Sequence, residues 1–211
     1  MKGWTARSRT LAATFALCAV LLSGSAGAAR GKMDGNTYVS PRGHFRCAVA
    51  HYDLGEVEIK DAFEKGRGSV AFTDFFDITR VDVEDYEHYV DPATLSAEQL
   101  EHVHASYFDA RVVPLVKMGV KDAVVLSRQF TPGGSPTYAS VMRLPARDGE
   151  HVRAAVQFTN GHSMYVVSVL HPTRPELGYS MQREADDILK IARAAFDHCQ
   201  FPAPGAEGKY K

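Results

Sequence analysis

The amino-acid sequence predicts an α+β domain, a mostly antiparallel β-sheet covered by helices. One observation is the hairpin signal Asn160-Gly161, which lies between two runs of alternating apolar residues. The other is a 3.6-residue apolar stripe from Met181 to Cys199, with Ser180 as the expected N-cap, which is typical of a helix lying on a core. The predicted strands and helices do not alternate regularly along the chain, and this favours an α+β domain over a parallel sheet.

The first third of the chain carries short strand patterns. Two of them flank a turn at Pro41-Arg42-Gly43. Further apolar alternation over residues 56–60, 70–72 and 78–83 predicts three more strands before any helix begins.

A helix is predicted to begin after Ser96. Ser96 and Gln99 match a capping box, and Leu95 with Leu100 matches a hydrophobic staple. Pro114 is expected to end or kink this helix, because proline has no amide hydrogen and its ring displaces the preceding turn.

Four antiparallel strands are predicted to follow that helix. Alternation places the first two over residues 123–131 and 138–144. The next two form the hairpin around Asn160-Gly161. A two-residue turn there pairs Val156 with Tyr165, and it gathers the larger apolar residues on one face of the sheet.

The first 28 residues match a secretory signal peptide. A basic start is followed by the apolar run Leu11 to Leu22 and by the small-residue motif Ala26-Gly27-Ala28. Cleavage is therefore expected between Ala28 and Ala29. An uncleaved membrane anchor is the alternative, but the apolar run is shorter than the ~20 residues that a membrane span needs.

Cys18 raises the alternative of a lipid anchor. Bacterial lipoproteins are cut before a cysteine that follows a small residue. Here Leu17 precedes Cys18, and both lie inside the apolar run. We therefore expect Cys18 to be discarded with the signal peptide.

Removal of the signal peptide leaves a mildly acidic chain. The full sequence has 211 residues, and the remaining part carries 21 basic and 25 acidic residues, a net charge of −4. This charge provides no reason to expect nucleic acid or an anionic membrane as partner. We expect a flexible leader over residues 29–37, a single α+β domain over 38–201 and a flexible tail over 202–211.

Two cysteines remain after this cleavage, Cys47 and Cys199. Alternation directs Cys47 toward the core, and Cys199 ends the apolar stripe of the last helix. In an oxidising compartment this arrangement predicts a disulfide that joins an early strand to the last helix. Two buried free thiols are the alternative. A reactive redox pair is disfavoured because no C-x-x-C motif occurs.

Three stretches resemble the PsbP-like α/β/α sandwich family. They are the opening hairpin Tyr38–Phe45, the strand Tyr165–Pro172 and the closing helix Ile188–Phe196. The resemblance covers roughly Tyr38 to Phe201, and it is a pattern of elements.

This resemblance implies a binding or assembly role. Most relatives of this kind, among them photosystem extrinsic subunits, a nuclear GTPase-binding protein and bacterial envelope proteins, are binding or assembly factors without catalytic residues. Many of them carry a tryptophan after the first strand. The only tryptophan here is Trp4, inside the predicted signal peptide.

The acidic and aromatic run from Asp74 to Asp91 is the candidate interaction surface. Aromatic side chains among charges are enriched at protein interfaces. Edge strands with a solvated face would produce the same pattern, and calcium is disfavoured because the EF-hand spacing is missing. The candidate contact residues are Phe75, Phe76, Tyr86 and Tyr89.

No catalytic residue, metal ligand or cofactor is predicted. His102 and His104 point apart on a helix and cannot easily share an ion, whereas Glu101 and His104 could. Motifs for a nucleophilic serine, a phosphate loop or a zinc protease do not occur in the sequence. A catalytic triad assembled only in space stays open.

These observations favour a secreted or periplasmic, non-enzymatic binding or assembly module. Its partner would be a protein of the cell envelope, with no nucleic acid and no stable membrane span after processing. The alternative is an envelope hydrolase with a spatially assembled site.

Overall fold

The computed structural model describes residues 29–49, 57–74, 77–147 and 149–203, which form the following strands and helices. The strands are β1 (Lys32–Asp34), β2 (Thr37–Val39), β3 (Arg46–Ala48), β4 (Glu58–Glu64), β5 (Arg67–Thr73), β6 (Ile78–Asp85), β7 (Val124–Thr131), β8 (Thr137–Ala146), β9 (Gly149–Thr159), β10 (Ser163–Pro172) and β11 (Cys199–Gln200). The α-helices are α1 (Ala97–Tyr107), α2 (Val113–Gly119) and α3 (Met181–Asp197). Within these ranges no helix is long and apolar enough to cross a membrane.

Seven strands form one antiparallel sheet in the order β4-β5-β6-β10-β9-β8-β7. Strand β10 occupies the centre, where it pairs with β6 on one side and with β9 on the other. Its residues from Ser163 to Leu170 are all buried, as expected of a strand covered on both faces. The predicted α+β class with a mostly antiparallel sheet is confirmed.

Helices cover both faces of this sheet. On one face, Ile188 and Ala192 of α3 pack against Val152, Val156 and Val169. The opposite face meets the segment from α1 to α2. This packing confirms that the apolar stripe of the last helix lies on the core.

A second, four-stranded sheet with the order β1-β2-β3-β11 packs on the face that α3 occupies. Tyr38 of β2 and Phe45, which directly precedes β3, enter the core with Val70 and Val81 of the large sheet. The core therefore continues beyond α3 to strands β4, β5 and β6.

Residues 29–37, expected as a flexible leader, contain β1 and the first residue of β2, and Ala29 forms a β-bridge with Phe63. The Gly31 amide donates to the Asp61 carboxylate (2.7 Å), which also accepts from the Tyr38 hydroxyl (2.6 Å). Local sequence patterns do not reveal Asp61 as this partner, because it lies 30 residues beyond Gly31 in the chain.

The predicted register of the central hairpin is wrong by two residues. Tyr165 pairs with Phe158, and Val156 pairs with Val167. The cause is Asn160, whose side-chain oxygen accepts from the amides of His162 and Ser163, so that the turn moves one residue onward. A shift of two residues keeps every side chain on its predicted face.

The Cys47–Cys199 disulfide is confirmed, but it does not join a strand to a helix. Helix α3 ends at Asp197, and Cys199 lies in β11 directly opposite Cys47. Just beyond β11, the Phe201 ring packs against Tyr165, at 4.8 Å between ring centroids. The bond therefore joins two neighbouring strands of the small sheet.

The predicted helix after Ser96 is confirmed, with its capping box formed by Ser96 and Gln99. Beyond Tyr107 the chain continues through a π-helical turn over Phe108–Val112 and then enters α2, with Pro114 in its first turn. Because Pro114 donates no amide hydrogen bond, the wider turn lets the chain pass it without ending the helical segment.

Removing the disulfide should cost substantial stability, because it closes a loop with a sequence separation of 152 residues. In the chain-entropy model a loop of this length contributes up to about 5 kcal/mol. We expect the free energy of unfolding of the C47A/C199A variant, measured by urea denaturation, to be lower than that of the wild type by a large part of this contribution.

Mass spectrometry after alkylation provides the control. The unreduced folded protein should leave Cys47 and Cys199 unmodified, and the reduced, unfolded protein should gain two labels. Rapid labelling of both thiols without reductant would contradict the bond.

Candidate functional site

A cavity of about 240 Å³ lies between the loop after β6, the first turns of α1 and the end of β9. Its surface is almost wholly apolar, and it opens to solvent. We call it the apolar pocket, and its lining residues are Tyr86, His88, Val90, Pro92, Leu95, Leu100, Val103 and Thr159.

The loop that forms one wall is tied to the tip of the β9–β10 hairpin. The Tyr86 amide donates to the His162 carbonyl (2.7 Å), and the Val90 amide donates to the Gly161 carbonyl (2.9 Å). Asp91 ends the loop, and its side chain accepts from the Ala93 amide. Backbone hydrogen bonds therefore hold this wall in place.

Gly161 allows the loop and the hairpin tip to meet. It has φ of +90°, and a Cβ atom there would lie 2.5 Å from both the Val90 carbonyl oxygen and the Tyr89 ring. Glycine is required on both counts, since other residues would meet backbone strain and a collision.

Helix α1 provides the facing wall through its first two turns. Leu100 is buried and Val103 is half-buried, and the helical spacing of three places both on the same side of α1. The capping box at Ser96 fixes where this helix begins. The sequence identified Leu95 and Leu100 as a staple, yet only the fold shows that they also line a cavity.

The structure places two of the four candidate contact residues at this pocket. Tyr86 lines it, and Tyr89 stands beside it with 44% of its surface exposed, 4.5 Å from the His162 ring between centroids. Phe75 and Phe76 lie outside the described residues. The sequence provided no sign that Val103 and Thr159 belong to the same site, because they come from distant segments.

Acidic groups surround the tyrosines near the pocket. Burial raises the pKa of Tyr86, the nearby Thr159 hydroxyl acts in the opposite direction, and the Glu84 carboxylate raises the pKa further. The Tyr107 hydroxyl donates to Glu84 (3.0 Å), and burial followed by that carboxylate raises the pKa of Tyr107 well above its ordinary value. These phenols therefore stay neutral donors at physiological pH.

His104 belongs to α1, and its side chain lies on the core side of this helix. It is fully buried, with Tyr138 stacked parallel at 6.3 Å and Phe130 tilted at 6.2 Å between ring centroids. Neither ring nitrogen has a hydrogen-bond partner among the described residues. Burial lowers the pKa of His104 to about 4, so the ring is neutral at pH 7.

The histidine pair on α1 is separated as the helical spacing predicted. His104 is buried, whereas His102 is exposed and lies 3.4 Å from the Ser106 hydroxyl. In the part of the chain that the structure describes, no three His, Cys, Asp or Glu side chains come together in a group that could hold a metal ion.

A second histidine site lies at the far end of β10. The His171 Nδ1 atom is 2.5 Å from an Asp77 oxygen, and both side chains are largely buried. Such a pair can orient an imidazole for proton transfer. Among the described residues no serine, threonine or cysteine side chain is hydrogen-bonded to His171.

Comparisons with known proteins provide little guidance. No protein-family model matches the chain, and no curated protein matches it. A crystal structure from Bacteroides thetaiotaomicron VPI-5482 is similar at 14% sequence identity with a TM-score of 0.42, and the match covers 83% of this chain and 51% of that one. The chain thus spans about half the length of that protein.

Substituting Gly161 should disrupt the pocket wall. Gly161→Ala introduces a methyl group where the Val90 carbonyl and the Tyr89 ring already lie, so we expect a loss of about 2 kcal/mol in the free energy of unfolding. The readouts are urea denaturation and the NMR signals of Tyr89.

Gly134→Ala is the matched control, because a Cβ atom there has no neighbour within 4 Å. It should leave stability and the Tyr89 signals unchanged. Equal behaviour of the two variants would contradict the role assigned to Gly161.

Acid should destabilise the packing of α1 through His104. Its folded pKa of about 4 lies below the ordinary value of 6.5, so the unfolded chain binds the proton more tightly. Stability is therefore unaffected above pH 6.5 and falls as the pH drops toward 4, by about 2 kcal/mol between pH 7 and pH 4.5.

The measurement compares urea denaturation of the wild type and His104→Leu at both pH values. The variant should lose about 2 kcal/mol less than the wild type on acidification. Identical losses in the two proteins would show that His104 does not titrate in this way.

Proposed function

We propose that this protein is a secreted or periplasmic, non-enzymatic binding or assembly module that receives an apolar side chain of a protein partner in the apolar pocket. The observation that carries the proposal is a preformed apolar cavity beside two candidate contact residues, Tyr86 and Tyr89. Interface anchors are typically apolar or aromatic side chains that fill such pockets.

The size of the pocket supports a side-chain anchor. Cavities that enclose a small-molecule ligand usually measure about 300–1,000 Å³, and this one holds about 240 Å³. One leucine, phenylalanine or tryptophan side chain fits such a space. The exposed ring of Tyr89 beside it offers the amphipathic surface that is enriched at protein interfaces.

The proposed compartment rests on the signal-peptide pattern and on the disulfide. The signal-peptide pattern over residues 1–28, with cleavage between Ala28 and Ala29, directs the protein out of the cytoplasm. The Cys47–Cys199 bond supports an oxidising environment, since such bonds form and persist there.

Kinship with the PsbP-like α/β/α sandwich family is part of the same proposal. Helices on both faces of an antiparallel sheet support it, as does the unit of β2, a turn and β3 that contains the Tyr38–Phe45 segment. Such kinship would add a fold-level reason to expect a binding or assembly role.

An envelope hydrolase is the second candidate, favoured by the His171–Asp77 pair. The His171–Asp77 pair lies just past Leu170 and Ile78, where the pairing of β10 with β6 ends. Tyr86 and Thr159 of the apolar pocket lie at the other end of the sheet. The two candidate functions therefore use separate parts of the surface. A substitution at one site can test one function without disturbing the other site.

Site-specific crosslinking tests the binding function. We place the photo-crosslinking residue p-benzoylphenylalanine at Tyr89 and irradiate the disulfide-bonded protein in its own envelope fraction. We expect one dominant crosslinked partner, identified by mass spectrometry, that disappears when Val103→Trp fills the pocket.

Ile191→Trp provides the matched control, because Ile191 is an exposed apolar residue on α3, across the sheet. Crosslinking from Tyr89 should survive this change. A crosslinked partner insensitive to Val103→Trp would contradict the pocket as anchor site. Hydrolysis of ester or amide substrates that disappears in His171→Ala would favour the hydrolase instead.

A further inference from the structure

The chain around the apolar pocket is strongly acidic. Between Val81 and Ala110 it carries eight acidic residues and no lysine or arginine. This stretch includes the end of β6, the pocket loop and all of α1. The whole sequence is nearly neutral, with 24 basic and 25 acidic residues, so the negative charge is concentrated at the site.

Some of these acids are neutralised by arginines from outside the stretch. Arg80 pairs with Asp82 at 2.7 Å, and Arg111 pairs with Glu84 at 3.2 Å. Both pairs lie on the sheet side of the pocket, next to Tyr107. Because each acid is paired with an arginine, these two acids contribute little to the attraction of a cationic partner.

Two acids that adjoin pocket-lining residues are not neutralised in this way. We define the acidic rim as Glu87 and Asp91, which lie in the loop next to the lining residues His88 and Val90. Asp91 accepts from the Ala93 amide, which orients its carboxylate without removing its charge. No lysine or arginine in the described ranges forms an ion pair with either of the two.

Tyr89 responds to this charge. Partial burial raises its pKa, and Asp91 raises it further through its negative charge and a hydrogen bond. The Tyr89 side chain thus lies close to Asp91, and its ring packs beside His162 at the tip of the β9–β10 hairpin.

The positive end of α1 does not reverse the sign at the pocket. A helix N-terminus carries about half a positive charge. Here Glu98 lies in the first turn, and the Ser96 and Gln99 side chains occupy the free amides of the capping box. The first turn therefore offers little net attraction for an anion.

We propose that the apolar pocket is specific for an apolar side chain carried on a basic segment of a protein partner. The anchor fills the cavity, and lysine or arginine residues beside it face Glu87 and Asp91. This inference rests on the proposed function and adds the charge of the partner. Complementary charges at the edge of an interface act mainly through association rate and specificity.

Selection from a library of short random peptides displayed on phage tests whether the bound segment is basic. The disulfide-bonded protein serves as the target, and Val103→Trp serves to discard peptides that bind elsewhere. We expect the enriched peptides to carry a leucine or aromatic residue beside at least one lysine or arginine.

The strongest peptide then becomes the probe for a second measurement. Its dissociation constant is measured with the wild type and with E87Q/D91N, in which the new amide at position 91 retains a side-chain oxygen able to cap the Ala93 amide. We expect about threefold to tenfold weaker binding and a smaller dependence on salt. E176Q/D122N, with the same charge change at exposed positions remote from the pocket, should bind like the wild type.

The outcomes separate the two proposals. Enriched peptides that are sensitive to Val103→Trp but neutral or acidic would overturn the charge assignment and leave the binding function standing. Equal weakening by E87Q/D91N and E176Q/D122N would also overturn it, because only overall charge would then matter. Absence of any peptide sensitive to Val103→Trp would overturn both proposals.

Discussion

The complete burial of the central strand is the constraint on which the rest of the structure depends. Residues 163–170 of β10 pair with strands on both sides and are buried on both faces. A sheet of this kind needs two covers, because each face removes apolar side chains from water. Helix α3 and the small sheet form one cover, and the segment from α1 to α2 forms the other.

The covers differ in how they are held. Within the small sheet the Cys47–Cys199 bond joins β3 to β11, and the sheet is held to the rest of the core by the Phe201 ring and by the part-buried Tyr38–Asp61 hydrogen bond. Helix α1 has no covalent link across its face. It packs through Leu100, Phe108 and the neutral ring of His104, whose nitrogens lack partners among the described residues. A buried, unpaired imidazole contributes stability only while it stays uncharged.

The apolar pocket follows from the way these covers meet the hairpin. The β9–β10 tip rises beyond the sheet, and the loop after β6 must cross it to reach α1. Gly161 lets the two backbones approach, and Asn160 shapes the turn that presents Gly161. The loop reaches α1 through Pro92 and Leu95, which leaves a cavity that neither element fills. The site is thus a product of connection geometry, with the acidic residues along its edge.

The sequence by itself determined most of the order of the elements, the capping box at Ser96, the faces that the hairpin strands β9 and β10 bury and the identity of the two bonded cysteines. Those features depend on alternation, helical periodicity and local hydrogen bonds between residues close in the chain. Only the tertiary structure decided the two-residue register shift, the strand at Cys199 and the closing of Val103 and Thr159 around one cavity. Each of these depends on contacts between segments far apart in sequence, whose relative positions no local pattern encodes.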